Sequence, residues 1–118
     1  MPARSVLYLR PRPGCRQALV DAFRDLDVTG RAMHQTGCLS VELHLPPEED
    51  APLLVTALWA TRDAYDGWLN NPWRAESSAT LNPLVEEEPA AGIVYDIVLA
   101  AGETSAATAL RSASEGAS

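Results

Sequence analysis

Apolar residues recur with period two in four short runs of this chain and at helical spacing in the segments between them. The clearest run is Cys38 to Leu45, where Leu39, Val41, Leu43 and Leu45 alternate with Ser40, Glu42 and His44, the pattern of a strand with two unlike faces. Ser5 to Arg10, Leu53 to Trp59 and Gly92 to Ala100 are further β-rich runs. Between the first two strands, Leu19, Phe23, Leu26 and Met33 fall at helical offsets, predicting one helix from Cys15 that Gly37 closes. Gly30 lies on that stripe after two β-branched residues, so a break or a close-packed neighbour is expected there. After the third strand, Thr61 is placed to cap a helix with Asp63 in its first turn and Ala64, Tyr65, Trp68 and Leu69 on one face. Asn71 and Pro72 restart a helical turn carrying Trp73, Arg74 and Glu76.

The resulting order, βαββαβ, predicts an α+β fold of the ferredoxin-like kind: a four-stranded antiparallel sheet with helices on one face. The expectation places Ser40, Glu42 and His44 toward the helices. It leaves Leu39, Val41, Leu43, Leu45, Leu54 and Leu58 on the opposite face. An uncovered apolar face of that size invites association, so a homodimer with the two sheets packed face to face is expected.

Length and charge narrow the partners. The chain has 118 residues, 47% of them hydrophobic, enough for one core and so one domain, assigned to residues 1–102. Residues 103–118 lack large apolar side chains apart from Leu110 and read as a disordered tail. A formal net charge of −7 repels phosphate backbones and anionic lipid surfaces, so neither nucleic acid nor membrane is expected as a partner. No apolar run has the length of a signal core or a membrane span, and the chain reads as cytoplasmic. Cys15 and Cys38, at the two ends of the first helical segment, have neither metal-ligand nor redox-pair spacing and are assigned no chemistry.

The stretch LWATRDAYDGWLNNPW, from Leu58 to Trp73, gathers all three tryptophans, Trp59, Trp68 and Trp73, with Tyr65 into one strand-to-helix unit. Rings concentrated there line either a solid core or a pocket for a flat ligand, and the pocket is the reading adopted. Indole N–H and phenol O–H groups in an apolar pocket are donors to a carbonyl or peroxide oxygen. An imidazole, with an ordinary pKa of about 6.5, accepts a phenolic proton near neutral pH. His44 is the candidate for that step.

Several short motifs carry a family resemblance: PG at 13 and 14, GCLSVELH from 37 to 44, LW at 58 and 59, AYDGWLNNP from 64 to 72 and YDI from 95 to 97. Over roughly residues 5 to 100 the chain resembles the antibiotic biosynthesis monooxygenase family of dimeric ferredoxin-like α+β barrels. The resemblance implies two branches. In the cofactor-free oxygenases of aromatic polyketides, the deprotonated substrate supplies the electrons and neither flavin nor metal is needed. Their histidine on the second strand, tryptophan ending the third and tyrosine on the next helix match His44, Trp59 and Tyr65. Their strand-three asparagine is replaced by Val55, and their basic residue on the later helix falls near Ser78. In the haem-degrading branch, the asparagine, tryptophan and histidine ligand correspond to Leu7, Trp68 and Ser78. Only the tryptophan is kept, which disfavours haem chemistry of that type.

The expected function is therefore oxygenation of a planar aromatic, a polyketide-type phenol, anthrone or hydroquinone, to a quinone with O2 and no bound cofactor. His44 would be the base and Trp59 and Tyr65 the donors, with Leu7, Leu9, Met33, Val55, Trp68 and Ser78 forming the walls. The alternative is an aromatic-ligand binder or cyclisation-assisting protein without oxygen chemistry. A haem-binding protein ranks behind both.

Overall fold

In the computed structural model, which describes residues 1–86 and 92–102, four strands form one antiparallel sheet. The strands are β1 (Ala3–Leu9), β2 (Cys38–His44), β3 (Leu53–Trp59) and β4 (Ile93–Asp96). Their order across the sheet, β2-β3-β1-β4, is that of the ferredoxin-like fold. The expected tail, 103–118, lies outside the described residues, as does the end of the acidic run beyond Glu86.

The first helical segment is divided into α1 (Arg16–Asp25) and α2 (Val28–Met33). The break falls at Asp27, which takes a left-handed conformation with φ of 54°, three residues before the glycine that was expected to cause it. Gly30 serves the same corner, since a Cβ there would lie 2.4 Å from the Asp27 carboxylate. After β3 come α3 (Arg62–Leu69) and α4 (Pro72–Leu81). The predicted caps form: Thr61 accepts a bond from the Ala64 amide at 3.2 Å and Asn71 one from the Trp73 amide at 3.0 Å. The second of these helices continues for ten residues, well beyond the single turn read from the sequence. No described helix is long and apolar enough to cross a membrane.

All four helices cover the same face of the sheet. Toward its β1–β3 end, Leu9 and Leu53 pack with Leu19 and Phe23 of α1, Val28 of α2 and Val85. Toward the other end, Cys38, Ala57 and Trp59 pack with Ala32, Tyr65 and Trp68. Leu19 and Leu53 are wholly buried, and each contributes about 1.5–3 kcal/mol by leaving water.

The faces of β2 are the reverse of those expected. Strict alternation would put Cys38 with Ser40, Glu42 and His44, but a bulge at Leu39 shifts the register between Cys38 and Ser40. Cys38, Val41 and Leu43 consequently pack against the helical side. Ser40, Glu42 and His44 stand opposite Leu58, Thr56 and Leu54 of β3 on the other face. That face also carries Arg4, Val6, Tyr8, Ile93 and Tyr95 through the β1 and β4 registers. At its centre Leu58 and Thr56 are buried, whereas Tyr8, Ile93 and Tyr95 are more than half exposed.

Candidate active site

The chain forms a partly open pocket of about 150 Å³ between the sheet and the helices. The odd residues of β1 supply one wall, with Ser5, Leu7 and Leu9 all facing it, continued by Val55, Ala57 and Trp59 of β3 and Val41 of β2. Phe23, Val28 and Ala32 close it from α1 and α2, while Tyr65 and Trp68 close it from α3. The remaining wall, from α4 and the turn after it, is more polar, presenting Arg74, Ser77, Ser78 and Asn82 beside Leu81 and Val85.

Each polar group in this space has a local origin. Trp59 ends β3, and its indole N–H reaches back to donate to the buried Ser5 hydroxyl oxygen at 3.0 Å. The helix begun at Thr61 then brings the Tyr65 ring to 5.6 Å from the Trp59 ring, tilted by 53°, within the range of favourable aromatic pairs. The Tyr65 hydroxyl donates to the Gly92 carbonyl at 3.4 Å. Glycine is required at 92, because a Cβ there would meet the Val6 carbonyl oxygen at 2.6 Å and the Tyr65 hydroxyl at 3.1 Å. Burial pushes the Tyr65 phenol above its ordinary value of 10.0, and the positive charge of Arg74 works against that rise. On α4 the Ser77 and Ser78 hydroxyls each donate to the Arg74 carbonyl at 2.9 Å, as helical serines commonly do.

Of the residues singled out in the sequence, Leu7, Leu9, Val55, Trp59, Tyr65, Trp68 and Ser78 converge on this cavity. His44 does not. Its face of β2 turns away from the helices, its side chain is 50% exposed, and its Nε2 lies 2.7 Å from the Glu42 carboxylate. The assignment of His44 as the base for a ligand in this cavity is corrected on that ground. Met33 is also absent from the walls: the corner at Asp27 turns Val28 and Ala32 inward, leaving Met33 exposed near the Cys38 thiol. Ser5 was legible as the start of the Ser5, Leu7, Leu9 alternation. Arg74 and Ser77 were missed because α4 was read as a single turn, although Arg74 stands four residues before Ser78 on one helical face. Among the described residues, no three His, Cys, Asp or Glu side chains gather so as to hold a metal ion.

The sequence profile of the antibiotic biosynthesis monooxygenase family matches residues 2–76, from β1 into α4. The chain belongs to that family. Its fold is shared with Rv0793 from Mycobacterium tuberculosis, at 20% identity and a TM-score of 0.70, covering 86% of this chain and 100% of that one. SnoaB, a cofactor-independent oxygenase from Streptomyces nogalater, aligns at 15% identity and a TM-score of 0.70 over 86% of this chain and 98% of its own. A Nitrosomonas europaea protein named for the same family aligns at 12% identity and a TM-score of 0.71 over 86% of this chain and 94% of its own. No curated protein matches the sequence. At these identities the solved structures establish the common fold and leave the chemistry to the residues of each cavity.

Proposed function

We propose that the protein oxygenates a planar phenol, anthrone or hydroquinone to the quinone level with O2 and without a bound cofactor, in the cavity between its sheet and helices. The observation carrying this reading is the convergence of Trp59, Tyr65 and Trp68 with a few hydroxyl groups on one mostly apolar pocket. Membership of a monooxygenase family and the shared fold of a cofactor-independent oxygenase support it.

For a phenol the balance needs no outside reductant. The ionised substrate passes an electron to O2, and the two radicals join in a C–O bond. Loss of the proton from that carbon then breaks the O–O bond, leaving one oxygen atom in the new carbonyl and releasing the other as water. The cavity's described walls hold neither carboxylate nor imidazole, so the phenolic proton leaves to solvent. Ser5 and Tyr65 act by favouring the charged oxygen. The Ser5 oxygen already accepts from Trp59, so its own hydrogen is available as a donor; the Tyr65 hydrogen is engaged with the Gly92 carbonyl at 3.4 Å and turns to a charged ligand oxygen only by giving up that long bond. Donors aimed at developing charge in such a site are commonly worth about 10²- to 10³-fold in rate. The chain would work as a homodimer, its sheet face bearing Tyr8, Ile93 and Tyr95 packed on that of its partner.

Aerobic incubation with an anthrone and with a simple phenol, following quinone absorbance and O2 uptake, tests the reading. Wild type should form quinone from at least one of the two, Tyr65→Phe should slow that reaction at least tenfold, and His44→Ala should leave its rate within twofold. Absence of quinone with every phenol and anthrone tried would sink the oxygenase and leave the ligand binder. A monomeric mass at micromolar concentration in sedimentation would remove the dimer.

A further inference from the structure

The cavity contains more information about its occupant than the ring-lined wall alone supplies, in its size and in one cation. Its volume is about 150 Å³, and an apolar protein cavity of about 150 Å³ holds one benzene. The pocket is partly open to solvent, so a fused three-ring skeleton seats one ring beside the nearly wholly buried Trp59 and Val85 and leaves the rest outside, forgoing much of its burial.

The cation is Arg74. Every basic residue in the chain is an arginine, and most of the described ones have partners. Arg10, Arg24 and Arg62 pair with Glu86, Asp21 and Asp96. Arg4 donates to the Thr56 hydroxyl, Arg16 donates to the Pro46 carbonyl, and Arg31 lies 5.3 Å over the Trp73 ring. Arg12 lies exposed in a loop. Arg74 is half-buried on the wall of an apolar space, and among the described residues no carboxylate lies within ion-pair distance of its side chain. A guanidinium drawn partly out of water without a counter-charge is costly, and an anionic ligand would supply the missing charge through two parallel N–H to oxygen bonds. Ser77 and Ser78 bond the Arg74 carbonyl, which steadies the turn that carries it.

We propose that the cavity selects a single-ring aromatic anion, a benzoate-like molecule whose ring lies among Trp59, Tyr65 and Trp68 and whose carboxylate pairs with Arg74. The inference rests on the reading of this cavity as the substrate site, and it narrows the substrate to a monocyclic phenol bearing an acidic group. Arg74 is then the residue that determines specificity.

Titration of tryptophan fluorescence and calorimetry with three probes, benzoate, neutral benzamide and anthracene-2-carboxylate, tests it. Benzoate should bind wild type at least tenfold more tightly than benzamide, and at least tenfold more tightly than the three-ring carboxylate. Arg74→Gln should remove the advantage of benzoate over benzamide, and an unchanged urea midpoint reports that the variant is folded. Arg74→Lys should retain part of the advantage. Equal binding of benzoate and benzamide by wild type, tighter binding of the three-ring probe, or no binding of any probe would each overturn the proposal. Because these readouts need no turnover, benzoate selection without O2 uptake from any phenol would defeat the oxygenase reading alone. Quinone formation from neutral three-ring substrates, unaffected by Arg74→Gln, would defeat this inference alone.

Discussion

The two faces of the sheet use similar side chains to different ends. On one, Leu9, Leu53, Val41 and Leu43 meet helices, and Leu9 and Val41 share a hollow with Ser5, Trp59 and the α4 residues. On the other, Leu54, Leu58 and Val6 are interleaved with Arg4, Thr56, Glu42 and His44, and Tyr8, Ile93 and Tyr95 remain exposed. The first face is specified by packing within the chain, and its hollow meets solvent only through a partial opening. The second retains solvated charges, and its exposed hydrogen bond between His44 and Glu42 is the kind that adds little stability.

Truncating neighbouring leucines that point to opposite faces is the strongest way to break this contrast. Leu53→Ala should cost about 2–5 kcal/mol, because it opens a void in a wholly buried position. Leu54→Ala, half-buried on the other face, should cost roughly 1 kcal/mol. Urea denaturation of both variants gives the comparison, and similar costs would mean that the second face is packed as tightly as the first.

Alkaline pH probes the helical face next. Burial pushes the Cys38 thiol from 9.0 up to about 11. The folded state therefore holds that proton more tightly than the unfolded chain, and the associated stability is whole below pH 9.0 and lost as pH rises through about 11. The expected loss is on the order of 2 kcal/mol, with Tyr65 adding a decline in the same direction above its ordinary 10.0. Denaturation midpoints for wild type and Cys38→Ala across pH 8 to 11 should converge at the alkaline end, and parallel curves would contradict the thiol's part.

Removing a single polar atom sharpens the contrast further. Ser5→Ala strands the Trp59 indole N–H in a buried place and should cost about 1–3 kcal/mol. His44→Ala, on the solvated face, should stay within about 0.5 kcal/mol. A larger loss from His44→Ala in dilute protein would show that its ring is packed in a way that its 50% exposure does not reveal.

Strand positions, the two helix caps and the antiparallel order were legible because each rests on local chemistry: period-two alternation, Thr61 and Asn71 at helix entrances, and glycine at 37. The ring-bearing wall was legible for the same reason, since Trp59, Tyr65 and Trp68 sit at fixed offsets across one strand-to-helix junction. The orientation of β2 was not. Its apolar set could be buried on either face of a sheet, and the choice was made by a one-residue bulge at Leu39 that no turn residue announces. That bulge separated His44 from the site its match to the family had suggested. Arg74 went unnoticed for a different reason: PWRAESSATL has a weakly amphipathic pattern, and its helix is held by Asn71, Pro72 and tertiary packing.

The close approach at Gly92 gives β4 a say in a space that it does not line. A single methyl group added there would press on the Val6 carbonyl, which as backbone does not yield cheaply, so the edge strand would be forced off its neighbour before the phenol turned. The edge of the sheet thus acts as a fixed stop behind the ring, and the room beside Tyr65 changes only when that stop moves.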